Sequence, residues 1–564
     1  MSETFQEALS QLNELKNYET FSSIPYSKLK DNLDSLRQFL DFLGNPQEQY
    51  LIIHVAGTKG KGSVCLMLDQ ILRQEKYCVG LFTSPHFHSL MERFCINGQP
   101  CDETFFAQTF FYLQKKWEEF ILVQQNSSTL SKSDQKLTFF EWTVLIAFEL
   151  FARAKVQLGI IETGLGGRWD ATNICSATVS VITSISFDHQ EQLGSSLLQI
   201  ASEKAGIIKK NVPVVSGVHF FPFLSQSNEN IDHCLLGPSS KDQFSEFPQK
   251  RFQFKPFEKS GFRVRNPNND EIITKGETRP FPFGLNQTPW SKENQTIDKN
   301  QYRWPEQVEI QQLGQIEPQK QTVDSKNGFK STLITQEDVE AVKKLIRKTA
   351  EQQGAPCYQL EDLSDFIRSC SFSILGEHQK WNAEIAWTVL SILKTKGINV
   401  SENNIRTELK RLRLPGRIEI VSTFPLLILD GAHNRASAAA LMKTLNDQYE
   451  EYHKTLLFAT TIGKDVSGMI AELFPYFDKI ILTEYKNNVR ALPLLQLEEI
   501  VNQTLNHSSD LFQIDKIESN PDLSAIVIPL FQSSKKDSLE LYCATGSFYF
   551  IAQIEKIVWS LSDQ

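Results

Sequence analysis

The sequence predicts an α/β protein: a P-loop parallel-sheet domain followed by a smaller α/β domain at the C-terminus. Three observations predict it. Ala56-Gly57-Thr58-Lys59-Gly60-Lys61-Gly62-Ser63 stands between an apolar run, Leu51 to Val55, and a stretch whose Val64, Leu66, Met67, Leu68, Ile71 and Leu72 recur at helical spacing. Strand-like and helix-like segments alternate over most of the chain, as in a parallel sheet covered on both faces. At 564 residues the chain is too long for one ordinary core, and the alternation restarts after Leu414-Pro415-Gly416-Arg417.

In chain order, Lys28 to Leu43 has helical periodicity and precedes the glycine loop. Cys78 to Phe82 reads as a strand that breaks at Thr83-Ser84-Pro85-His86. Phe105 to Leu122 and Phe139 to Ala154 read as helices, with a polar loop, Gln124 to Ser133, between them. Val156 to Ile161 is a strand ending at Glu162, and Thr178 to Ile185 a strand ending near Asp188-His189. Ser196 to Lys209 is a helix and Val212 to Val215 a short strand. From about Val218 to Ser331 the chain is rich in Gln, Asn, Lys and Pro and keeps no period. So long a structureless connection is unusual within a compact domain and reads as an insertion. Helices follow at Glu337 to Gln353, Trp381 to Leu393 and Glu402 to Leu412. Beyond the junction, Leu426 to Leu429, Thr455 to Ala459, Lys479 to Thr483 and Leu539 to Ala544 read as strands, and Ala436 to Leu445 as a helix. The expected domains are 1–414, carrying the insertion at about 218–331, and 415–564.

Composition narrows the function. A net charge of −9, from 58 basic and 67 acidic residues, argues against a general nucleic-acid binder. The nine cysteines are scattered without a Cys-x-x-Cys pair, and read as reduced thiols, not as a zinc site or a disulfide framework. Met1 to Tyr18, with Glu3, Glu7 and Glu14, is neither a signal nor a transit peptide. No apolar run is long enough to span a bilayer. The expectation is a cytoplasmic protein, a monomer, with small-molecule partners and neither nucleic acid nor membrane.

Chemistry concentrates in the glycine loops and at strand ends. Gly57, Gly60 and Gly62 let the backbone turn sharply against an oxyanion, and the new helix N-terminus faces it. Lys61 would reach the β- and γ-phosphates. The usual P-loop spacing is broken because Gly62 separates Lys61 from the Ser63 hydroxyl. Ser84, Glu162, Asp188, His189 and Asp430 stand where strands end, the edge at which open parallel sheets bind ligands. A hydroxyl, a carboxylate and an imidazole (Ser84, Glu162, His189) would suit Mg²⁺ held against phosphates, although His is an uncommon ligand for so hard an ion. Taken singly, each of these residues is more simply a cap, a salt-bridge partner or a packed ring. Glu162 to Asn173 forms a second glycine-rich loop in which Arg168 and Asp170 add opposite charges.

These residues carry a resemblance. The chain resembles the folylpolyglutamate synthase/dihydrofolate synthase family of the Mur ligase superfamily. The matching segments are His54 to Ser63; Thr83 to His86 with Glu92-Arg93 and Ile96-Asn97-Gly98; Thr138 to Glu141; Glu162 to Asn173; Asp188-His189 with Leu193-Gly194; Ser202 to Ile207; Leu414 to Arg417; Asp430-Gly431-Ala432-His433-Asn434; and Thr545-Gly546-Ser547. Only the Val218 to Ser331 stretch has no counterpart.

The resemblance implies a P-loop ATPase domain joined to a Rossmann-like C-terminal domain, and ATP-dependent ligation of L-glutamate to a folate or dihydropteroate carboxylate through an acyl phosphate. It implies ATP binding by Gly57, Thr58, Lys59, Gly60, Lys61, Gly62, Ser63, Asn382, Arg417, Asp430 and His433, and Mg²⁺ at Ser84, Glu162 and His189. It implies a pterin-side pocket lined by Thr138, Phe139, Phe140, Glu141, Trp169, Asp170 and Ala171. Lys61, Lys204 and His189 are the implied catalytic residues, Lys204 matching a lysine that is carbamylated in the family. Lys59 stands where many bacterial members carry Asn, and Trp169 is bulkier than the residue expected after Gly-Gly-Arg; both bear on substrate choice. The competing readings are a Mur-type ligase of peptidoglycan precursors and a P-loop protein that binds nucleotide without ligating.

Overall fold

Leu51–Ala56 forms β1, the strand on which the first sheet is centred. The computed structural model describes residues 4–15, 17, 29–126, 137–219, 334–486, 488–506, 516–533 and 539–562. The stretch 220–333, most of the expected insertion, lies outside the described residues, as does most of the expected 124–133 loop.

The first sheet adds β2 (Val79–Phe82), β3 (Phe94–Ile96), β4 (Gln99–Pro100), β5 (Leu158–Glu162), β6 (Val179–Ile182), β7 (Val214–Ser216) and β8 (Cys357–Gln359). Its order is β4-β3-β2-β5-β1-β6-β7-β8. β1 pairs in parallel with β5 and β6, and every residue of β2, β5 and β6 is buried, which is why these strands read as continuous apolar runs. Chain order reverses about β1: the next strand, β2, lies beyond β5, while β6 lies on the other flank. That reversal opens a crevice at the strands' carboxyl ends. Helix Lys61–Gln74 buries Val64, Met67, Leu68, Ile71 and Leu72 against one face, beside Ile385, Val389 and Leu393 of helix Glu377–Lys394. Helix Phe139–Arg153 packs Phe148 and Phe151 into a separate core with Phe39, Phe82 and Phe106.

The second sheet contains β9 (Glu419–Thr423), β10 (Leu426–Leu429), β11 (His453–Phe458), β12 (Lys479–Leu482), β13 (Lys516–Ser519) and β14 (Glu540–Thr545), in the order β13-β12-β11-β14-β10-β9. Its two faces carry separate cores, one around Leu441, Phe458 and Phe474, the other around Leu457, Phe550 and Ile554.

Both sheets are parallel for the most part, and each carries antiparallel pairing at one edge. β3 runs antiparallel to β2 and to β4, and β9 antiparallel to β10. The β3–β4 turn is Asn97-Gly98, with φ of 52° and 72°. Those left-handed values are the two-residue hairpin signature that Asn-Gly provides. The expected polar loop after residue 122 begins later, because helix Glu103–Asn126 continues through Gln124. Helix Glu377–Lys394 starts before Trp381, immediately after Gly376. No described helix is long and apolar enough to cross a membrane.

Candidate active site

The glycine loop leaves β1 at Ala56 and enters a helix at Lys61. Its turn is braced from β6's end. The Thr58 amide donates to Ser184 O at 2.7 Å and the Lys59 amide to Ser184 Oγ at 3.0 Å, while Thr183 Oγ1 donates to Lys59 O at 2.6 Å. The Thr58 hydroxyl is also engaged, accepting the Ser186 amide at 3.1 Å. Thr58 and the Lys59 backbone are thus committed to holding the loop. The amides of the helix's first turn have no acceptor within the helix, so they are the donors aimed at the crevice. Gly57 has φ +149° and a Cβ there would lie 1.9 Å from Thr183 Oγ1. Gly60, at φ +82°, would meet Asn382 Oδ1 at 2.4 Å, so Asn382 sits directly on the turn.

Lys61 Nζ lies 3.8 Å from Glu162 Oε1, and the Ser84 amide donates to Glu162 Oε2 at 3.3 Å. Burial pushes the Glu162 carboxyl up, against the pull of Lys61 and of Arg417 from the second domain. A buried carboxylate beside a serine at a phosphate loop fits a hard divalent cation that takes its other ligands from phosphate and water. Among the described residues no group of three or more His, Cys, Asp or Glu side chains is placed to hold a metal ion. His189 is not drawn into the Ser84–Glu162 pair by any bond. Its backbone sits at φ +51°, and its side chain, 45% exposed, lies with Nε2 3.8 Å from Asp188 Oδ1.

The second glycine loop packs on the end of helix Leu197–Ala205. The Arg168 amide donates to Glu203 O at 2.7 Å, and Asn173 Nδ2 to Gly206 O at 3.1 Å. Arg168 Nη2 donates to Ser202 O at 3.0 Å. A Cβ at Gly167 would lie 2.9 Å from Lys204 O, so the close approach needs glycine. Lys204 itself is buried, and its Nζ donates to Gly57 O at 2.8 Å, directly behind the phosphate loop. Burial and then Lys61 lower its amine to about 7.

Asp170 accepts the Leu165 amide at 2.8 Å and the Thr172 amide at 3.0 Å, so it shapes the loop from within. Thr138 and Glu141 form a reciprocal cap on helix Phe139–Arg153. Phe140 meets the second loop, since a Cβ at Gly164 would lie 2.5 Å from its ring. Ala171 is buried, while Trp169 packs partly exposed against Leu193 and Ile200. The expected pocket residues therefore lie on adjoining segments, and three of them hold backbone in place.

The second domain supplies the opposite wall. Asp430, at the end of β10, accepts the Ile418 amide at 2.9 Å and the Ala432 amide at 2.8 Å. Burial pushes its carboxyl up to about 6 despite Arg417 nearby. The Arg417 guanidinium lies 4.2 Å from the centre of the Phe548 ring. His433 Nδ1 lies 2.8 Å from Gly431 O, and Nε2 lies 3.0 Å from Lys59 Nζ. Carbonyl oxygen only accepts, so Nδ1 carries the proton and Nε2 accepts from the lysine. Lys59 Nζ also donates to Asp188 Oδ2 at 2.9 Å. Its side chain is thus turned across the cleft, not into the phosphate cradle.

Lys464, which sequence reasoning passed over, lies 3.5 Å from Asp188 Oδ1. It follows β11 as the other site residues follow their strands, so the strand-end rule would have found it.

Residues 419–557 match the family described as "Dihydrofolate synthetase, C-terminal domain". The chain is 27% identical over 537 residues to the dihydrofolate synthase/folylpolyglutamate synthase of Bacillus subtilis, covering 94% of this chain and 95% of that one. Its fold superposes on E. coli FolC in complex with DHPP and ADP with a TM-score of 0.64 at 21% identity, covering 99% and 98% of the two chains. It also superposes on a bifunctional folylpolyglutamate synthase/dihydrofolate synthase with Mn, AMPPNP and L-glutamate bound, at TM-score 0.62 and 21% identity, over 99% and 98%. The two-domain α/β fold and the sequence match over 94% of the chain agree: along nearly its whole length the chain is similar to folylpolyglutamate synthase/dihydrofolate synthases.

Proposed function

We propose that the protein is an ATP-dependent ligase joining L-glutamate to the carboxylate of a folate-type acceptor, dihydropteroate, tetrahydrofolate or both. The observation that carries this is the meeting of two domains on the phosphate loop. Lys59 Nζ lies 2.9 Å from Asp188 and 3.0 Å from His433 of the second domain. A nucleotide on the first domain is thereby faced by Arg417, Asp430 and His433. We take 1–414 and 415–564 as the two domains and the protein as a cytoplasmic monomer.

A carboxylate is a poor electrophile, so the acceptor oxygen first takes the γ-phosphoryl group of ATP. The glutamate amine, having lost a proton, then attacks the acyl carbon, and inorganic phosphate leaves with the C–O bond. Lys61 and the first-turn amides hold the phosphates and offset charge on the transferring group. Ser84 and Glu162 would hold Mg²⁺, which neutralises phosphate charge when bound. Asn382 and Arg417 orient the rest of ATP. Thr138 to Glu141 and Trp169 to Ala171 face the acceptor, and closure of the second domain keeps water from the acyl phosphate.

The test is ADP release. A ligase of this kind releases ADP only when ATP, glutamate and dihydropteroate or tetrahydrofolate are all present. A nucleotide switch ignores the acceptor, and a peptidoglycan-precursor ligase is indifferent to both pterins.

Two further outcomes are expected. Residues 1–414 expressed alone should bind nucleotide yet lose at least about a hundredfold in ligation, because they lack the closing wall. Full activity from that piece would refute the two-domain site. Replacing Pro222 to Asn327 by a short Gly/Ser linker should preserve ligation. Val218 and Ile334, which flank the stretch, pack in one hydrophobic cluster, so a short connection can join them. A trimmed protein that melts normally but no longer binds acceptor would assign the stretch to the site.

A further inference from the structure

Asp188 is engaged from both domains. Its Oδ2 accepts from Lys59 Nζ at 2.9 Å and lies 3.4 Å from Asn434 Nδ2 and 3.9 Å from His433 Nε2. Its Oδ1 accepts the His189 amide at 3.1 Å and lies 3.5 Å from Lys464 Nζ. One carboxylate, 12% exposed, thus serves two ammonium groups, one from each domain. A single buried ion pair needs only one of them.

Lys464 is presented firmly. Gly463, at φ +79°, turns the chain in front of it. Asp465 behind it caps helix Val466–Leu473, accepting the Gly468 amide at 2.9 Å. The lysine side chain is 16% exposed and lies on no hydrophobic core.

We propose that Lys464 is a positioning residue for ligation: it is the counter-ion that keeps Asp188 paired when Lys59 turns from Asp188 to the nucleotide phosphates. The inference rests on the ligase reading above. Lys59 is held by Asp188 and His433. To serve phosphate it must leave a buried carboxylate, and that carboxylate would then face the incoming polyphosphate as a like charge. With Lys464 in place the carboxylate stays compensated, and the second domain stays pinned to the loop. Without it Lys59 remains locked on Asp188, and the phosphates lose a cation.

The experiment compares Lys464→Met, Lys464→Arg, Asp188→Asn and the Asp188→Asn/Lys464→Met double variant in the full-length chain. Steady-state kinetics are measured with each substrate varied, alongside melting temperature. Lys464→Met is expected to lower kcat/KM for ATP about tenfold or more, with KM for the folate acceptor within about twofold of wild type. Lys464→Arg should recover most of that loss. The double variant should be no worse than Asp188→Asn alone, because Lys464 acts only through Asp188. Additive losses in the double variant, or Lys464→Met within twofold of a ligating wild type, would overturn this inference alone. A wild-type chain with no acceptor- and glutamate-dependent ADP release would remove the ligase reading, and this inference with it.

Discussion

Lys61→Ala is expected to lose ligation by about a hundredfold or more while still folding, the usual scale for removing a principal electrostatic contact to a transferring group. Lys61 opens the helix after the glycine loop, and its side chain belongs to no hydrophobic cluster. Its partner is Glu162, at 3.8 Å. Removing one member of a buried pair normally destabilises strongly, because a lone charge remains. Here burial already pushes the Glu162 carboxyl upward, and loss of Lys61 pushes it further, so the group can take a proton and stay neutral. Stability should therefore fall far less than turnover. ADP release and a thermal melt on the same preparation decide the matter: near-normal turnover in a folded Lys61→Ala protein would sink the phosphate role of this loop.

Lys204→Ala should also ligate poorly, and partial recovery with acetate or formate is the distinguishing result. From spacing alone Lys204 is a surface lysine paired with Glu203 or with a helix C-terminus. The structure instead buries it behind Gly57, where burial and the Lys61 charge bring its amine to about 7. An amine so lowered gives up its proton more readily near neutral pH, and we propose that the unprotonated form adds CO₂ to give a carbamate, releasing a proton. The product is an anion close to the phosphate loop. A short carboxylic acid entering the space left by Lys204→Ala would restore the anion. Lys204→Arg should not be rescued, because a guanidinium still fills the site with positive charge. Wild-type turnover of Lys204→Ala in bicarbonate-free buffer would dispose of the carbamate.

Why some of this was legible in the sequence and some was not comes down to range. β1, β2, β5 and β6 are buried on both faces, so each is a plain apolar run, and the polar residues that stop them mark the crevice. Local chemistry also marks the Asn97-Gly98 hairpin, although a search for parallel strands passes over it. Short β8 and β13 carry little pattern of their own, being defined by pairing with β7 and β12. The Asp188 cluster was the least legible part. Lys59 and His433 are 374 positions apart, and Lys464 lies 276 from Asp188. No local periodicity encodes a meeting over such distances. The same holds for Thr58, whose hydroxyl accepts the Ser186 amide.

The β7-to-β8 crossover has a consequence for how this chain can change. Parallel neighbours must be joined by an excursion that leaves the sheet, and here helix Gln336–Gln352 supplies the return. Chain added before that helix lengthens a connection that already exists and breaks no ladder. Each doubling of such a loop costs only about 0.6 kcal/mol in closure entropy. The crossover is therefore a port: a place where a lineage can accept a long foreign stretch, or an experimenter a fluorescent reporter, at a small entropic toll.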